Sequence, residues 1–316
     1  MTHLAAFLLC AASLTPQEPA AGPVAGNPFE RVTVIGASAS AGFGLSSELE
    51  AQVRLGAVLA CILPEGAGVR DLGTAAFFQN PASYGERLVT AAHDERPTLV
   101  VGVDFLFWYA FGALPDASRP RLFERGLREL ERLDCPLLLG DLPDVTHALA
   151  GRGPFGGPLL ERGHLPPAPM LASFNARLYE WAAGRPNVTV APLAAYTELV
   201  REGKDIELRG NRWAPASLED LLQEDLLHPT VEGSVAISIL FLDTLVAARP
   251  EVDGADLRWE LPGILERLMA ATAEARNERR AKARRREERR REREERRRER
   301  ESGDGTHADA PIRRAG

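Results

Sequence analysis

The fold is decided by residues 31–44, RVTVIGASASAGFG, where a β-branched run passes into a turn of small side chains. Arg31–Ile35 predicts a buried strand, because Val, Thr and Ile suit the pleated surface of a sheet. Gly36–Gly44 then leads toward a predicted helix. A strand that opens through small residues onto a helix start presents backbone N–H groups to a ligand. Ser38 and Ser40 lie in this turn, so the sequence offers a candidate nucleophile there.

Strand and helix patterns alternate along the chain after this segment. Further strands are predicted at Gly68–Leu72, Thr98–Val103, Cys135–Leu139 and Asn187–Pro192. Helices are predicted at Glu48–Leu63, Pro120–Leu133, Met170–Gly184, Pro229–Ala248 and Leu261–Ala275, with mixed helix and loop over Thr74–Ala92 and irregular structure over Tyr196–Leu227. This alternation is typical of right-handed βαβ units, which form a parallel sheet covered by helices on both faces. In such a sheet the ligand site lies at the carboxyl ends of the strands.

Length and composition suit one folded domain with an extension at each end. The chain has 316 residues, of which 45% are hydrophobic, and this is enough for one sizeable α/β core. The domain is predicted over residues 30–250. A linker rich in Pro, Gly and Ala precedes it at residues 23–29, and a helical extension follows it at residues 251–275.

Residues 1–22 are predicted to be a secretory signal peptide. An apolar core at Leu4–Leu14 is followed by small residues at Ala20–Gly22, and the core is too short to span a bilayer. The segment before the core lacks Lys and Arg, so the apolar N-terminus of a cytoplasmic protein is the alternative interpretation. The predicted location is secreted or periplasmic, and cytoplasmic if this segment is not a signal.

Residues 276–316 form a low-complexity tail rich in Arg and Glu. Residues 276–300 contain 14 Arg and one Lys against seven Glu, about +8 in net charge, while the whole chain carries −7. With no large apolar side chain in that stretch, the tail predicts either a single helix with i,i+4 Glu–Arg pairs or a disordered spacer. Its charge favours contact with a polyanionic or membrane surface, which the interspersed Glu residues weaken. No specific nucleic-acid binding is predicted.

The sequence predicts no metal and no cofactor. Cys61 and Cys135, the two cysteines beyond the predicted signal peptide, are predicted to be free thiols. No set of His, Cys, Asp and Glu has the spacing of metal ligands. Gly36–Gly44 does not fit the G-x-G-x-x-G pattern of a dinucleotide site, and it lacks the Gly-Lys-Ser/Thr of a phosphate-binding loop.

A second motif, Asp225-Leu-Leu-His228-Pro229, carries the chemistry that a nucleophilic serine needs. Asp and His three positions apart at the start of a helix can share one face. The carboxylate can then hold one ring nitrogen while the other acts as a base on a serine hydroxyl. The motif is weak alone, but together with Ser38 it predicts nucleophilic serine catalysis, and Ser40 is predicted to be structural.

These segments resemble the SGNH (GDSL-type) hydrolases over about Arg31–Ala247. The first block of that family, Gly-Asp-Ser-x-(Thr/Ser)-x-Gly, is matched by Gly36–Gly42, and the last block, Asp-x-x-His-Pro, by Asp225–Pro229. The third block, Gly-x-Asn-Asp, corresponds to Gly102–Phe105. The resemblance implies a three-layer α/β/α fold with a flavodoxin-like, five-stranded parallel sheet.

The resemblance also implies roles for individual residues. Ser38 would be the nucleophile, His228 the base and Asp225 the acid that orients the base. The oxyanion hole would use the N–H groups of Ser38 and of Gly73, which follows the second strand, and the side chain of Asp104.

Two positions depart from the pattern of that family. Ala37 replaces the Asp of the first block, and Asp104 stands where the family has an Asn whose amide donates to the oxyanion. An ionised carboxylate at this position would repel the developing negative charge. Burial would favour a protonated Asp104, which could donate, and this is the hypothesis for an active enzyme.

The predicted function is hydrolysis of a carboxylic ester by an esterase, a lipase-like enzyme or a carbohydrate deacetylase. The substrate would be a small-molecule, glycan or lipid ester. The alternative is a catalytically impaired SGNH-fold binding module that its basic tail holds at a surface. Specificity is expected to lie in loops such as Gly151–Pro169 and Thr197–Glu224. The aromatic run Phe105–Tyr109 is predicted to be core rather than the wall of an acyl pocket.

Overall fold

The computed structural model describes residues 27–154 and 156–303, with residues 296–303 as backbone only. The predicted signal peptide, residues 23–26 of the predicted linker and residues 304–316 of the tail lie outside the described residues.

Five parallel strands form the central sheet in the order β2-β1-β3-β4-β5. They are β1 Arg31–Val34, β2 Gly68–Asp71, β3 Leu99–Gly102, β4 Leu137–Gly140 and β5 Val188–Ala191. Every residue of β3 and β4 is buried, as expected for strands covered on both faces. The order reverses between β1 and β3, and a crevice opens at such a switch point in α/β sheets. This topology confirms the predicted α/β class and the five-stranded, flavodoxin-like sheet.

Helices cover both faces of the sheet. They are α1 Leu45–Leu49, α2 Leu55–Ile62, α3 Pro81–Asp94, α4 Phe107–Ala110, α5 Arg119–Leu130, α6 Ala168–Ala183, α7 Leu193–Arg201, α8 Val231–Ala248, α9 Leu261–Ala271 and α10 Ala273–Gly303. Short 3₁₀ turns lie at Ala75–Gln79, Asp116–Ser118, Thr146–Ala150, Arg162–His164 and Leu218–Asp220.

Two apolar clusters fill the spaces between the central sheet and the helices on each of its faces. On β1, Val32 and Val34 join one cluster with α2, α8 and α9, whereas Ile35, the residue after β1, joins a second cluster with α3, α5 and α6. On β3, Val101 and Val100 divide in the same way. This alternation follows from the period of two along a strand, and it produces the three layers.

The single helix predicted over Glu48–Leu63 is wrong, because the chain forms α1 and α2 with a break between them. Glu50 has a left-handed backbone with φ of 52°, which ends α1. The Leu55 N–H then donates to the Ser40 carbonyl, so the start of α2 is tied to the turn after β1. A long-range bond of this kind leaves no trace in local periodicity.

The irregular structure predicted over Tyr196–Leu227 is also wrong in its first half. α7 continues to Arg201, and an antiparallel hairpin follows, with β6 at Ile206–Leu208 and β7 at Asn211–Trp213. The buried residues Leu193, Tyr196 and Val200 of α7 follow helical spacing.

The composition of α8 and of α10 raises the question of contact with a membrane or a surface. In the described part of the chain, α8 is the one helix long and apolar enough to cross a membrane, and most of it is buried in the protein against the sheet and α2. Its apolar character is therefore that of a core helix. α10 is the helical form of the predicted tail, and near its start Arg279 donates to the Ser46 carbonyl while Arg280 pairs with Glu50.

Candidate active site

Ser38, His228 and Asp225 lie together at the carboxyl edge of the sheet. Ser38 follows β1 and is half-buried, while His228 and Asp225 are buried in the loop before α8. The distance from Ser38 Oγ to His228 Nε2 is 2.8 Å, and from His228 Nδ1 to Asp225 Oδ2 it is also 2.8 Å. The fold thus joins two motifs that are 190 residues apart in the sequence.

Asp225 holds His228 by its backbone and by its ring. Its Oδ1 accepts the N–H groups of Leu227 and His228, each at 2.9 Å, in a turn where Leu226 is left-handed with φ of 53°. Burial raises the pKa of Asp225, but the hydrogen bonds and charge of His228 outweigh it, so the pKa lies below its ordinary value. An ionised Asp225 fixes a proton on Nδ1, which leaves Nε2 to accept the proton of Ser38. The Phe43 ring packs on His228, with 4.4 Å between ring centroids.

Asp104 holds the turn that carries Ser38. Its Oδ1 accepts from the Ala37 N–H at 2.9 Å and from Ser40 Oγ at 2.6 Å, and its Oδ2 accepts from the Ala39 N–H at 2.8 Å. Ala37 and Ala39 flank the nucleophile on both sides. The Ser40 N–H lies 3.4 Å from Oδ2 as well, so both oxygens of Asp104 act as acceptors within this turn. Asp104 therefore positions the backbone of Ser38 from both directions.

The three predicted oxyanion donors fare differently. Asp104 acts as an acceptor, so the expectation that its protonated side chain donates to an oxyanion is not supported by the geometry. The Gly73 N–H is also engaged, because it donates to Asp71 Oδ1 at 2.9 Å. Asp71 in turn accepts from Arg54 and Gly56, so this bond belongs to the packing of β2. Of the three, the Ser38 N–H is left without a bond to any described residue.

Small residues allow the chain after β1 to lie close to the chain after β3. A Cβ at Gly36 would lie 2.2 Å from Asp104 Oδ1 and 2.3 Å from Ser40 Oγ, so only glycine leaves room for the carboxylate. The methyl group of Ala37 is buried in the apolar cluster beneath it. An Asp at position 37 would place its charge in that cluster.

Two side chains tie the nucleophile turn to the histidine loop. Gln223 Nε2 donates to the carbonyls of Phe43 and Pro229, each at 2.7 Å. Glu48 accepts from the Val231 N–H at 3.0 Å, at the start of α8. The two halves of the site are thereby held in register by polar contacts beyond the pair of Ser38 and His228.

An apolar cavity lies beside Ser38 and His228. Its wall comes from the ends of β3 and β4, from α7 and from the segment up to the histidine loop. It includes Val103, Phe107, Leu142, Val145, His147, Leu193, Tyr196, Thr197, Val200, Leu221, Leu222 and Leu227. Of the aromatic run predicted to be core, Phe105 and Tyr109 are core, while Phe107 is buried and also lines the cavity. The predicted loop Thr197–Glu224 contributes to the wall, and the described residues of Gly151–Pro169 do not.

Sequence reasoning missed Asp141, His147 and Tyr196 as residues of this cavity. Asp141 follows β4, and Tyr196 lies just after β5, so the rule that ligands bind at the carboxyl ends of strands was the available indication. His147 lies in a 3₁₀ turn whose position depends on tertiary contacts. Asn175 makes two bonds of 2.8 Å to the backbone of Leu142 and thereby holds the loop after β4.

The described part of the chain contains two free thiols and no cluster of metal ligands. Within residues 27–154 and 156–303, no group of three His, Cys, Asp or Glu side chains is placed to hold a metal ion. Cys61 and Cys135 are free thiols, and burial raises the pKa of Cys61 and raises that of Cys135 to about 11. Both thiols are therefore protonated and poor nucleophiles at neutral pH.

Comparison with known proteins gives similar folds at low identity. A structure described as a lipolytic protein of the G-D-S-L family from Desulfitobacterium hafniense is 16% identical, with 70% of this chain and 99% of that chain covered and a TM-score of 0.42. A GDSL-like lipase from Bacteroides thetaiotaomicron is 14% identical (69% and 89% covered, TM-score 0.41). A psychrotrophic esterase from Pseudoalteromonas is 16% identical (69% and 97% covered, TM-score 0.40).

These structures are GDSL-type hydrolases and esterases, the group that the sequence blocks resemble. At such TM-scores and identities the likeness assigns no activity to this chain. No protein-family model matches the sequence, and no curated protein matches it.

Proposed function

We propose that this protein is a serine-dependent hydrolase of carboxylic esters, of the SGNH type. The observation that supports the proposal most is the chain of contacts from Ser38 Oγ through the ring of His228 to Asp225, with 2.8 Å at each step. A nucleophile within reach of a base, and a base oriented by a buried carboxylate, is the arrangement that acyl transfer needs. The apolar cavity at the same point offers a place for the substrate.

In the proposed reaction, Ser38 Oγ attacks the carbonyl carbon of the ester while His228 Nε2 takes its proton. The negative charge of Asp225 stabilises the imidazolium that forms. The tetrahedral intermediate collapses, the proton passes from Nε2 to the leaving alcohol, and the acyl group stays on Ser38. Water then attacks the acyl-enzyme with His228 again as base, which releases the acid and restores Ser38.

The oxyanion that forms in this reaction has few hydrogen-bond donors to stabilise it. Of the three expected donors, only the Ser38 N–H is free to stabilise it, and the loss of one such donor costs about 10²–10³ in rate. The carboxylate of Asp104 adds an unfavourable charge near the reacting oxygen. We therefore expect a slow or specialised esterase.

Turnover of p-nitrophenyl esters from acetate to octanoate by the full chain tests this proposal. Ser38→Ala is expected to abolish turnover and labelling by a fluorophosphonate. Ser47→Ala, which removes an exposed hydroxyl from α1, is the matched control and is expected to retain both. Equal turnover by the wild type and Ser38→Ala would contradict a Ser38 nucleophile.

The second candidate is the catalytically impaired binding module. The engaged Gly73 N–H and the acceptor role of Asp104 support it, because they leave the oxyanion poorly stabilised. The same experiment separates the two functions. A folded wild-type protein that is neither labelled nor active would favour the binding module.

We also propose that α10 holds the domain at an anionic lipid surface. Lys282, Arg286, Arg289 and Arg293 follow a spacing of four, three and four residues, which aligns them on one face of the helix. Acidic side chains concentrate on the other side of the helix: Glu288, Glu292 and Glu295. A basic face on one side of a helix suits a flat anionic surface. The described side chains of α10 include no large apolar one, so charge is the driving force for binding.

Co-sedimentation of the full chain with phosphatidylglycerol vesicles tests the tail. Replacing Arg286, Arg289 and Arg293 by Gln is expected to weaken binding more than replacing Arg284, Arg285 and Arg291, although the net charge changes equally. Binding is expected to fall steeply with salt. Equal losses in the two triple variants would contradict a directed face. Export through residues 1–22 stays a prediction, which N-terminal sequencing of the mature protein would check.

A further inference from the structure

Two residues in the wall of the cavity beside Ser38 carry buried polar atoms that have no hydrogen-bond partner in the described part of the chain. Tyr196 is only 6% exposed, and its hydroxyl has no hydrogen-bond partner among the described residues. Neither ring nitrogen of the half-buried His147 is in hydrogen-bonding geometry with a described residue, the nearby Leu226 carbonyl included. Both side chains line the same cavity.

Other polar groups on the cavity wall are already satisfied, which sets these two apart. Asp141 accepts from the Ala194 N–H at 2.6 Å and from the Tyr179 hydroxyl at 2.9 Å. The hydroxyl of Thr197 donates to the Leu193 carbonyl at 2.8 Å. Buried polar groups without a partner are rare in folded proteins because desolvation penalises them. Tyr196 and His147 are therefore candidates for groups that a ligand satisfies.

Both side chains are uncharged at neutral pH. Burial raises the pKa of Tyr196 above its ordinary value, so it remains a phenol. Burial lowers the pKa of His147 against the opposing effect of the Asp144 carboxylate, so its ring stays neutral. Each can donate one hydrogen bond and accept another. Because neither supplies a counter-charge, an ionised ligand group at this place would lose its hydration without compensation.

The space available exceeds that of a single water molecule. About 90 Å³ of the cavity is open to the centre of a water-sized sphere, whereas one water needs roughly 10–15 Å³ on this measure. Most of the remaining wall is aliphatic or aromatic, with Val103, Phe107 and Leu142 near the strand ends. A chain of several carbon atoms fits such a lining better than water alone.

We propose that the cavity binds the acyl part of the ester as an apolar chain that carries an uncharged hydrogen-bonding group, a ketone or a hydroxyl, paired with Tyr196 and His147. The proposal rests on the ester hydrolysis proposed above, since Ser38 would carry that acyl group. The apolar wall binds the methylene groups, and the polar pair selects the oxygenated chain over the plain alkyl chain. Without the oxygen, the two buried groups would stay unpaired in the complex.

The test compares oxygenated and plain acyl esters of equal length. The wild type is expected to prefer at least one of p-nitrophenyl 4-oxopentanoate, 5-oxohexanoate and 7-oxooctanoate over its unsubstituted analogue, by about tenfold or more in kcat/KM. Tyr196→Phe removes the free hydroxyl and is expected to abolish this preference. Tyr84→Phe removes a tyrosine hydroxyl from a half-buried residue outside the cavity wall, so this matched control is expected to keep it.

Two measurements do not depend on catalysis. Titration calorimetry with the Ser38→Ala protein is expected to show tighter binding of one methyl oxo-ester than of its unsubstituted analogue, and this result would support the cavity proposal even if the wild type hydrolysed no ester. Equal binding of every oxo-ester and its unsubstituted analogue would overturn the cavity proposal without contradicting the proposed ester hydrolysis. Tyr196→Phe is expected to keep or raise Tm. A clear fall in Tm would show that the hydroxyl is already satisfied in the free protein, and that too would overturn the proposal.

Discussion

Two carboxylates hold the two halves of the candidate site in nearly the same way. Asp225 accepts two backbone N–H groups and the ring of His228. Asp104 accepts the N–H groups of Ala37 and Ala39, the Ser40 N–H at a longer distance, and the hydroxyl of Ser40. The difference lies in the side chain that each carboxylate holds. His228 contacts the nucleophile directly, whereas Ser40 is a buried side chain within the turn.

This difference gives the two negative charges opposite consequences. In the proposed reaction His228 becomes a cation, so the charge of Asp225 stabilises the transition state. The turn around Ser38 must instead face a developing anion, so the charge of Asp104 opposes the reaction while its hydrogen bonds keep Ser38 in place. An aspartate therefore assists catalysis at one end of the site, as Asp225, and only positions the nucleophile at the other end, as Asp104.

The largest effect is expected from Asp225→Asn. An amide in this place no longer imposes the tautomer with the proton on Nδ1, and the rate is expected to fall about 10⁴-fold. Steady-state kinetics with a p-nitrophenyl ester would measure it, with the exposed Asp256→Asn as control. A loss of less than tenfold would break the comparison, because Asp225 would then be no more than a backbone anchor.

A smaller loss of activity is expected from Asp104→Asn. One of the two accepting oxygens becomes an NH₂ group that faces a backbone N–H, so the turn shifts, and a misplacement of about 1 Å costs on the order of 10² in rate. The unfolding free energy is expected to fall by about 1–3 kcal/mol. Urea unfolding and a pH–rate profile would be recorded together. Activity equal to or above that of the wild type would instead show that the charge of Asp104 slows the reaction at least as much as its hydrogen bonds to the turn assist it.

The smallest effect concerns stability in acid. The pKa of Asp225 is lower in the folded protein than its ordinary value of 3.8. At a given acidic pH, the folded state therefore holds fewer protons on Asp225 than the unfolded state does. Its contribution is therefore fully present above that value and is lost as the pH falls through the lowered pKa. Between about pH 5 and pH 3 the Asp225→Asn protein is expected to lose less unfolding free energy than the wild type, by about 1 kcal/mol or less. Identical pH slopes for the two proteins would contradict this coupling.

Local patterns predicted much of the fold because burial on both faces of a parallel strand produces continuous apolar runs. All five strands were predicted within about two residues, and the mixed helix and loop predicted over Thr74–Ala92 contains α3, which Asn80 caps. The break between α1 and α2 escaped prediction because it depends on a distant partner, the Ser40 carbonyl. The start of α7 also escaped prediction, although its buried residues follow helical spacing.

The sequence by itself determined the sheet and its alternating helices, the small-residue turn with Ser38, and the local pairing of Asp225 with His228. Each depends on spacing within one short segment. Only the tertiary structure decided that Asp104 accepts from Ala37 and Ala39 and that the Gly73 N–H is engaged. It also decided that His147 and Tyr196, whose polar atoms have no partner among the described residues, line one cavity. The physical reason is that a donor or acceptor takes whichever partner packing brings within 3 Å or so, and most of these partners lie tens of residues apart along the chain.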